Sequence, residues 1–229
     1  MANLITVGRL LLLFVVVAMI YRGGGAITVT AMVLIVVVFA GDGLDGYVAR
    51  RRNSTSQFGA VFDIAGDRVV EQVLWIVFAH VGTVGVWVPL LIITRGSIVD
   101  ALRSLSYADG MTAFGSRNMM RSSVTQWLTA GRFMRALYGY AKAAGFVFLA
   151  GEVQFGDAAD GTMGALYDAA AFRALGWFTV WLAVALSVVR GLPVIYDALA
   201  YLQRPARLDT AASVGARPVD APGSTGGRA

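Results

Sequence analysis

The chain has 229 residues, 57% hydrophobic and only 14% charged, where a soluble domain carries roughly a quarter charged residues. Together with a mean hydropathy of +0.67 this excludes a disordered chain, a collagen and a nucleic-acid-coating protein. The net charge of +5 points to lipid headgroups and phosphorylated substrates, the lack of cysteine removes disulfides and thiolate sites, and the lone histidine, His80, excludes a multi-histidine metal centre.

A helix needs about 20 mostly apolar residues to cross a hydrocarbon layer of roughly 30 Å. In chain order the pattern predicts about six such spans: 4–21, 23–41, 58–80, 85–105, 124–150 and 172–202. The first has neither a strongly basic start nor a small-residue cleavage pattern, so it reads as a retained helix rather than a signal peptide. The third and fourth carry scattered charges, the fifth contains Arg132, Arg135 and Lys142, and the sixth contains Arg190 and Asp197. The expected fold is an all-α integral membrane bundle over residues 1–203, without internal repeat, followed by a disordered tail over 204–229 rich in Ala, Gly, Pro, Ser and Arg.

The arginines orient this bundle, because cationic loops stay cytoplasmic. Arg50, Arg51 and Arg52 follow span two, Arg117 and Arg121 follow span four, and Arg204, Arg207, Arg217 and Arg228 follow span six. The other side has Arg22, a nearly uncharged turn after His80, and a loop holding Glu152, Asp157, Asp160, Asp168 and Arg173. Both termini and any chemistry near Arg50 are therefore expected in the cytoplasm.

That chemistry centres on four carboxylates. Asp42 and Asp45 are three residues apart at the end of span two, and Asp63 and Asp67 are four apart at the start of span three, so each pair occupies one helix face. A short basic connection folds the two helices side by side. Four acids this near a bilayer repel and desolvate one another unless cations join them, and hard divalent ions such as Mg2+ or Mn2+, one or two per site, meet that need and also bind substrate phosphates. Gly46, Ala49 and Gly59 share the acidic faces and leave room for a ligand near the backbone, while Arg50 at the mouth suits a phosphate oxygen. The residues read as phosphoryl-type transfer at a metal centre.

The string Asp42-x-x-Asp45-Gly46-x-x-Ala49-Arg50, eight residues, Gly59-x-x-x-Asp63-x-x-x-Asp67 resembles the signature of the CDP-alcohol phosphatidyltransferases at every fixed position. The resemblance implies a six-helix membrane enzyme of phospholipid synthesis that moves a phosphatidyl group from CDP-diacylglycerol to an alcohol with release of CMP. It implies that Asp42, Asp45, Asp63 and Asp67 bind the metals, that Asp67 is also the general base, and that Asp42, Asp45, Gly46, Ala49, Arg50 and Gly59 line the CDP pocket. A prokaryotic cell membrane is the expected location.

Within that family the opening Asn3-Leu4-Ile5-Thr6-Val7-Gly8-Arg9, together with Thr94-Arg95, Ala101-Leu102-Arg103 and Gly131-Arg132, is similar to phosphatidylglycerolphosphate synthases, which implies glycerol 3-phosphate as acceptor. Arg95, Arg103, Arg132, Arg135 and Lys142 are the cations available for its phosphate. The branch usually has Glu after the span-four Arg, where Gly96 stands, and two Lys where Arg132 and Arg135 stand, so inositol phosphate is the alternative acceptor. A divalent cation transporter is the competing class, but a transport path distributes polar groups through the bilayer, whereas these acids cluster at one end.

Other features have plainer readings. Arg51 and Arg52 are topology anchors, His80 is an interfacial residue, and the tryptophans at 75, 87, 127, 177 and 181 are anchors or packing. Gly82, Gly85, Gly139 and Gly145 offer close helix packing or a homodimer face.

Overall fold

The computed structural model describes residues 2–51, 57–108, 131–157 and 161–202, with side chains described over 4–41, 59, 61–102, 104, 131, 133–157 and 161–196. These residues form α1 (Ala2–Arg22), α2 (Gly25–Arg51), α3 (Gln57–His80), α4 (Trp87–Ala108), α5 (Arg132–Phe155), α6 (Gly161–Asp168) and α7 (Ala170–Leu202). No strand occurs among the described residues. All but α6 run for 21 residues or more. The β-branched run of α2 favours strands by local propensity, yet so long an uninterrupted apolar stretch is helical. Leu4–Arg22 in α1 and Ala170–Tyr196 in α7 are long and apolar enough to cross a membrane, and Gly25–Gly41 in α2 is a shorter apolar stretch.

The six long helices among the described residues overlap the six predicted spans, with two differences, both in α5. Helix α2 continues past Gly41 through Asp42 and Asp45, as their helical spacing predicts, to Arg51, because a polar sequence can extend an intrahelical hydrogen-bond ladder that is already nucleated. Helix α5 begins at Arg132, and 124–130 lie outside the described residues. It ends at Phe155, so Glu152 is helical rather than in a loop, and its carboxylate accepts a 2.8 Å hydrogen bond from Arg173 of α7. The expected acidic loop also contains α6, which ends at Asp168. The predicted tail, Trp127, Arg117 and Arg121 lie outside the described residues.

Contacts fix the helix directions. Arg9 meets Asp63 and Tyr21 meets His80, so α1 and α3 are parallel. Lys142 meets Asp67 and Phe146 meets Trp75, so α5 is parallel to α3. Helix α7 runs opposite to α5, with Gly145 close against Val180 and Phe148 against Trp177, and a Cβ on Gly145 would lie 3.3 Å from the Val180 Cα. As a result α1, α3 and α5 begin at the end of the bundle where α2, α4 and α7 finish.

The core is a continuous seam of Leu13, Val16, Ile35, Trp75, Phe78 and Phe146, all at most 1% exposed. Trp75 meets the Phe146 ring edge-on at 4.8 Å, while Phe39 and Phe78 stack on that ring at 5.7 and 5.9 Å. Trp75 is therefore packing, whereas Trp87 and Trp177 both stack on Trp181. Sharp reversals use glycine: Gly23 and Gly24 between α1 and α2 adopt φ of 66° and 99°, and Gly82 after α3 adopts 85°, a region that side chains disfavour.

Candidate active site

Helix α3 carries Asp63, Asp67 and Glu71 at four-residue intervals, which puts them on one stripe. The stripe descends into the bundle. The side chains of Asp63 and Asp67 are 39% and 36% exposed, whereas that of Glu71 is 2% exposed. Asp42 and Asp45 follow Gly41 on the last turns of α2, at the same end of the bundle. Their side chains, like those of Ala49, Arg50, Arg103 and Arg132, lie outside the described part.

Each α3 aspartate meets a buried cation from a different neighbouring helix. From α1, the Arg9 guanidinium places Nη1 3.5 Å from Asp63 Oδ1, and its Nε donates to the Val38 carbonyl of α2 at 3.0 Å. From α5, Lys142 Nζ lies 3.7 Å from Asp67 Oδ2 and 3.2 Å from Glu71 Oε2. Two glycines make the first arrangement possible. A Cβ on Gly41 would come within 3.0 Å of the Arg9 Cδ, and one on Gly66 within 2.6 Å of the Thr6 methyl. Both glycines let α1 settle against the ends of α2 and α3, which buries Thr6 and Arg9 at 2% and 4% exposure.

Below the aspartates lies a second polar layer. The Tyr138 hydroxyl donates to Glu71 Oε1, and the Lys142 ammonium and Arg190 guanidinium lie 4.6 and 5.1 Å from the Tyr138 ring centroid. Arg95 of α4 fits into space left by Gly191 of α7, where an added Cβ would reach within 2.5 Å of its Nε. That Nε is buried without a hydrogen-bond partner among the described residues. Arg68 and Asp100 tie α3 to α4 at 3.2 Å. Arg135 is exposed two turns before Lys142 on α5, and His80 pairs with Tyr21 at the opposite end of α3.

The carboxylate pair on α3 fits a hard divalent ion by donor type, since it offers only oxygens and both side chains remain over one-third exposed beside their cations. Thr6, Arg9, Glu71, Tyr138 and Arg190 were not among the residues singled out for chemistry from the sequence. Two of them carried a signal: Glu71 continues the four-residue spacing of Asp63 and Asp67, and Arg9 is a charge inside a long apolar stretch.

Comparison with known proteins identifies the family. A Mycobacterium tuberculosis protein named "Putative cardiolipin synthase" is 35% identical over 80 residues, which cover 34% of this chain and 38% of that relative. The Haemophilus influenzae CDP-diacylglycerol--glycerol-3-phosphate 3-phosphatidyltransferase is 31% identical over 117 residues, 47% of this chain and 60% of its own length. A Rickettsia typhi protein of the same name is 28% identical over 101 residues, 44% of this chain and 57% of its own length. The family model for CDP-alcohol phosphatidyltransferase matches residues 1–189. Because that match runs from α1, with Thr6 and Arg9, through both aspartate pairs and into α7, the chain belongs to the CDP-alcohol phosphatidyltransferase family.

Proposed function

We propose that the protein is a multi-pass membrane enzyme that transfers a phosphatidyl group from CDP-diacylglycerol to glycerol 3-phosphate, giving phosphatidylglycerol phosphate and CMP. The observation that carries this reading is the complete aspartate signature within a chain matched to the family over residues 1–189. The relatives named for glycerol 3-phosphate transfer favour that acceptor. The six long helices are the spans of one membrane domain over residues 1–203. What supports this is their length and the outward-facing apolar side chains of Leu11, Phe14, Val33, Leu90, Leu175 and Phe178, all at least 57% exposed. Both termini, the 204–229 tail and the aspartate end face the cytoplasm, in keeping with the arginines at positions 50–52, in a bacterial cell membrane.

Asp42, Asp45, Asp63 and Asp67 hold one or two Mg2+ or Mn2+ ions. Bound there, the ions supply neutralisation of the diphosphate and of CMP as it departs. Gly46, Ala49 and Gly59 leave space for the CDP moiety, and Arg50 meets a phosphate oxygen. Asp67 accepts the proton of the acceptor hydroxyl, whose oxygen bonds to the lipid-linked phosphorus. The bond from that phosphorus to the bridging oxygen breaks, and CMP leaves with the electron pair. Arg95, Arg103, Arg132 and Arg135 attract the acceptor phosphate, with Lys142 deeper on the same side of α5.

A second acceptor reading rests on the relative named as a cardiolipin synthase, which points to phosphatidylglycerol as the alcohol. Purified protein in detergent with Mg2+ and CDP-diacylglycerol is assayed for CMP against glycerol 3-phosphate, phosphatidylglycerol, inositol phosphate, inositol and serine. Release dependent on glycerol 3-phosphate is expected. Dependence on another alcohol replaces the acceptor and keeps the chemistry; folded protein silent with all of them under Mg2+ and Mn2+ overturns the reading.

A further inference from the structure

The buried layer beneath the aspartates contains a carboxylate that the proposed reaction does not use. Glu71 is 1% exposed on α3, in the middle of an apolar bundle, where an uncompensated charge is very costly. Both of its oxygens are engaged: Oε1 accepts from the Tyr138 hydroxyl and Oε2 from Lys142 at 3.2 Å. The same ammonium reaches Asp67 Oδ2 only at 3.7 Å, which is ion-pair contact beyond hydrogen-bond length. Three groups therefore draw it away from Asp67: the Glu71 carboxylate, the face of the Tyr138 ring at 4.6 Å and, more distantly, that of Phe39 at 5.9 Å.

A lysine free to close on Asp67 would take up the charge that a divalent ion needs, because opposite charges at contact in a poorly screened interior interact strongly. We propose that Glu71 is a positioning residue that holds Lys142 back, so that the ammonium orients the Asp67 carboxylate without competing with a divalent ion for it. This rests on the reading of Asp67 as a metal-binding residue. The charge count makes it quantitative. Asp67, Glu71 and Lys142 together carry one net negative charge. Glu71→Gln brings the group to neutral and gives Asp67 the whole of the ammonium; Lys142→Met leaves two negative charges; the double substitution returns to one.

The test is Mn2+ binding to the full chain in detergent without substrates, followed by the electron paramagnetic resonance signal of free Mn2+. Glu71→Gln is expected to raise Kd about tenfold, Lys142→Met to lower it, and the double variant to return within about threefold of wild type. Turnover should fall about tenfold in Lys142→Met despite its tighter Mn2+ binding, because Asp67 loses its orientation and the acceptor phosphate loses a cation. General damage to the fold would weaken binding in both single variants. The charge-balanced double variant keeps the test open if Glu71→Gln does not fold. Wild-type binding that Asp67→Asn abolishes upholds the metal site itself. Given that, shifts in the same direction in the two single variants, no shift beyond threefold in either, or a tenfold loss in the double variant overturns the role of Glu71. Absence of wild-type Mn2+ binding overturns the underlying reading of Asp67 and the role of Glu71 with it.

Discussion

The two ends of this helix bundle are built from opposite materials. At the far end, Phe148, Phe155, Tyr167, Phe172 and Trp177 form a ring cluster with centroids 5.0–6.1 Å apart, and α6 covers it. Gln154 closes the α1–α2 turn by accepting from the Gly24 amide at 2.7 Å. At the aspartate end, the half-buried carboxylates of α3 face buried cations on α1 and α5, and neither ion pair is as short as a hydrogen bond requires. One end is closed by aromatic packing; at the other, charged side chains of three helices meet, and the two aspartates among them stay within reach of solvent.

Substitutions should separate these roles. The largest effect is expected for Asp67→Asn, which keeps shape and removes charge: CMP release should fall by about a thousandfold while the thermal unfolding midpoint stays near wild type. At the other end Phe148→Ala empties the centre of the ring cluster and should cost about 3 kcal/mol of stability by thermal unfolding in detergent. Turnover per folded molecule should be unchanged, and a loss of turnover matching that of Asp67→Asn would erase the distinction between the ends. Gly66→Val lies between the two, since its side chain enters the space of the Thr6 methyl, 2.6 Å from an added Cβ. It should lower stability by about 2 kcal/mol and turnover with it, because α1 can no longer seat Arg9 against Asp63. The smallest effect belongs to Tyr21→Phe, which removes an exposed hydrogen bond to His80 and should cost about 0.5 kcal/mol with full activity retained.

Much of this was legible in the residues. Apolar length located all six long helices, and the spacing of Asp63 and Asp67 put both on one face of α3, where the structure has them. The short helix α6 was not legible, because eight residues with Gly at both the first and fourth positions carry little periodic signal and are held by the aromatic cluster they cover. Arg9 and Thr6 drew attention as part of an opening string, but nothing local ties them to α3. Their approach depends on Gly41 and Gly66, which are far from them in sequence.

The sequence by itself determined the six long helices, the shared face of Asp63 and Asp67 on α3 and the family, since periodicity, length and motif spacing are properties of neighbouring residues. Tertiary structure alone decided which cation meets which acid. Arg9 comes to Asp63 across 54 positions of chain and Lys142 to Glu71 across 71, and such pairings follow from how α1 and α5 pack on α3. The burial that makes the Glu71 charge costly, and so makes its partners matter, exists only once the helices have closed around it.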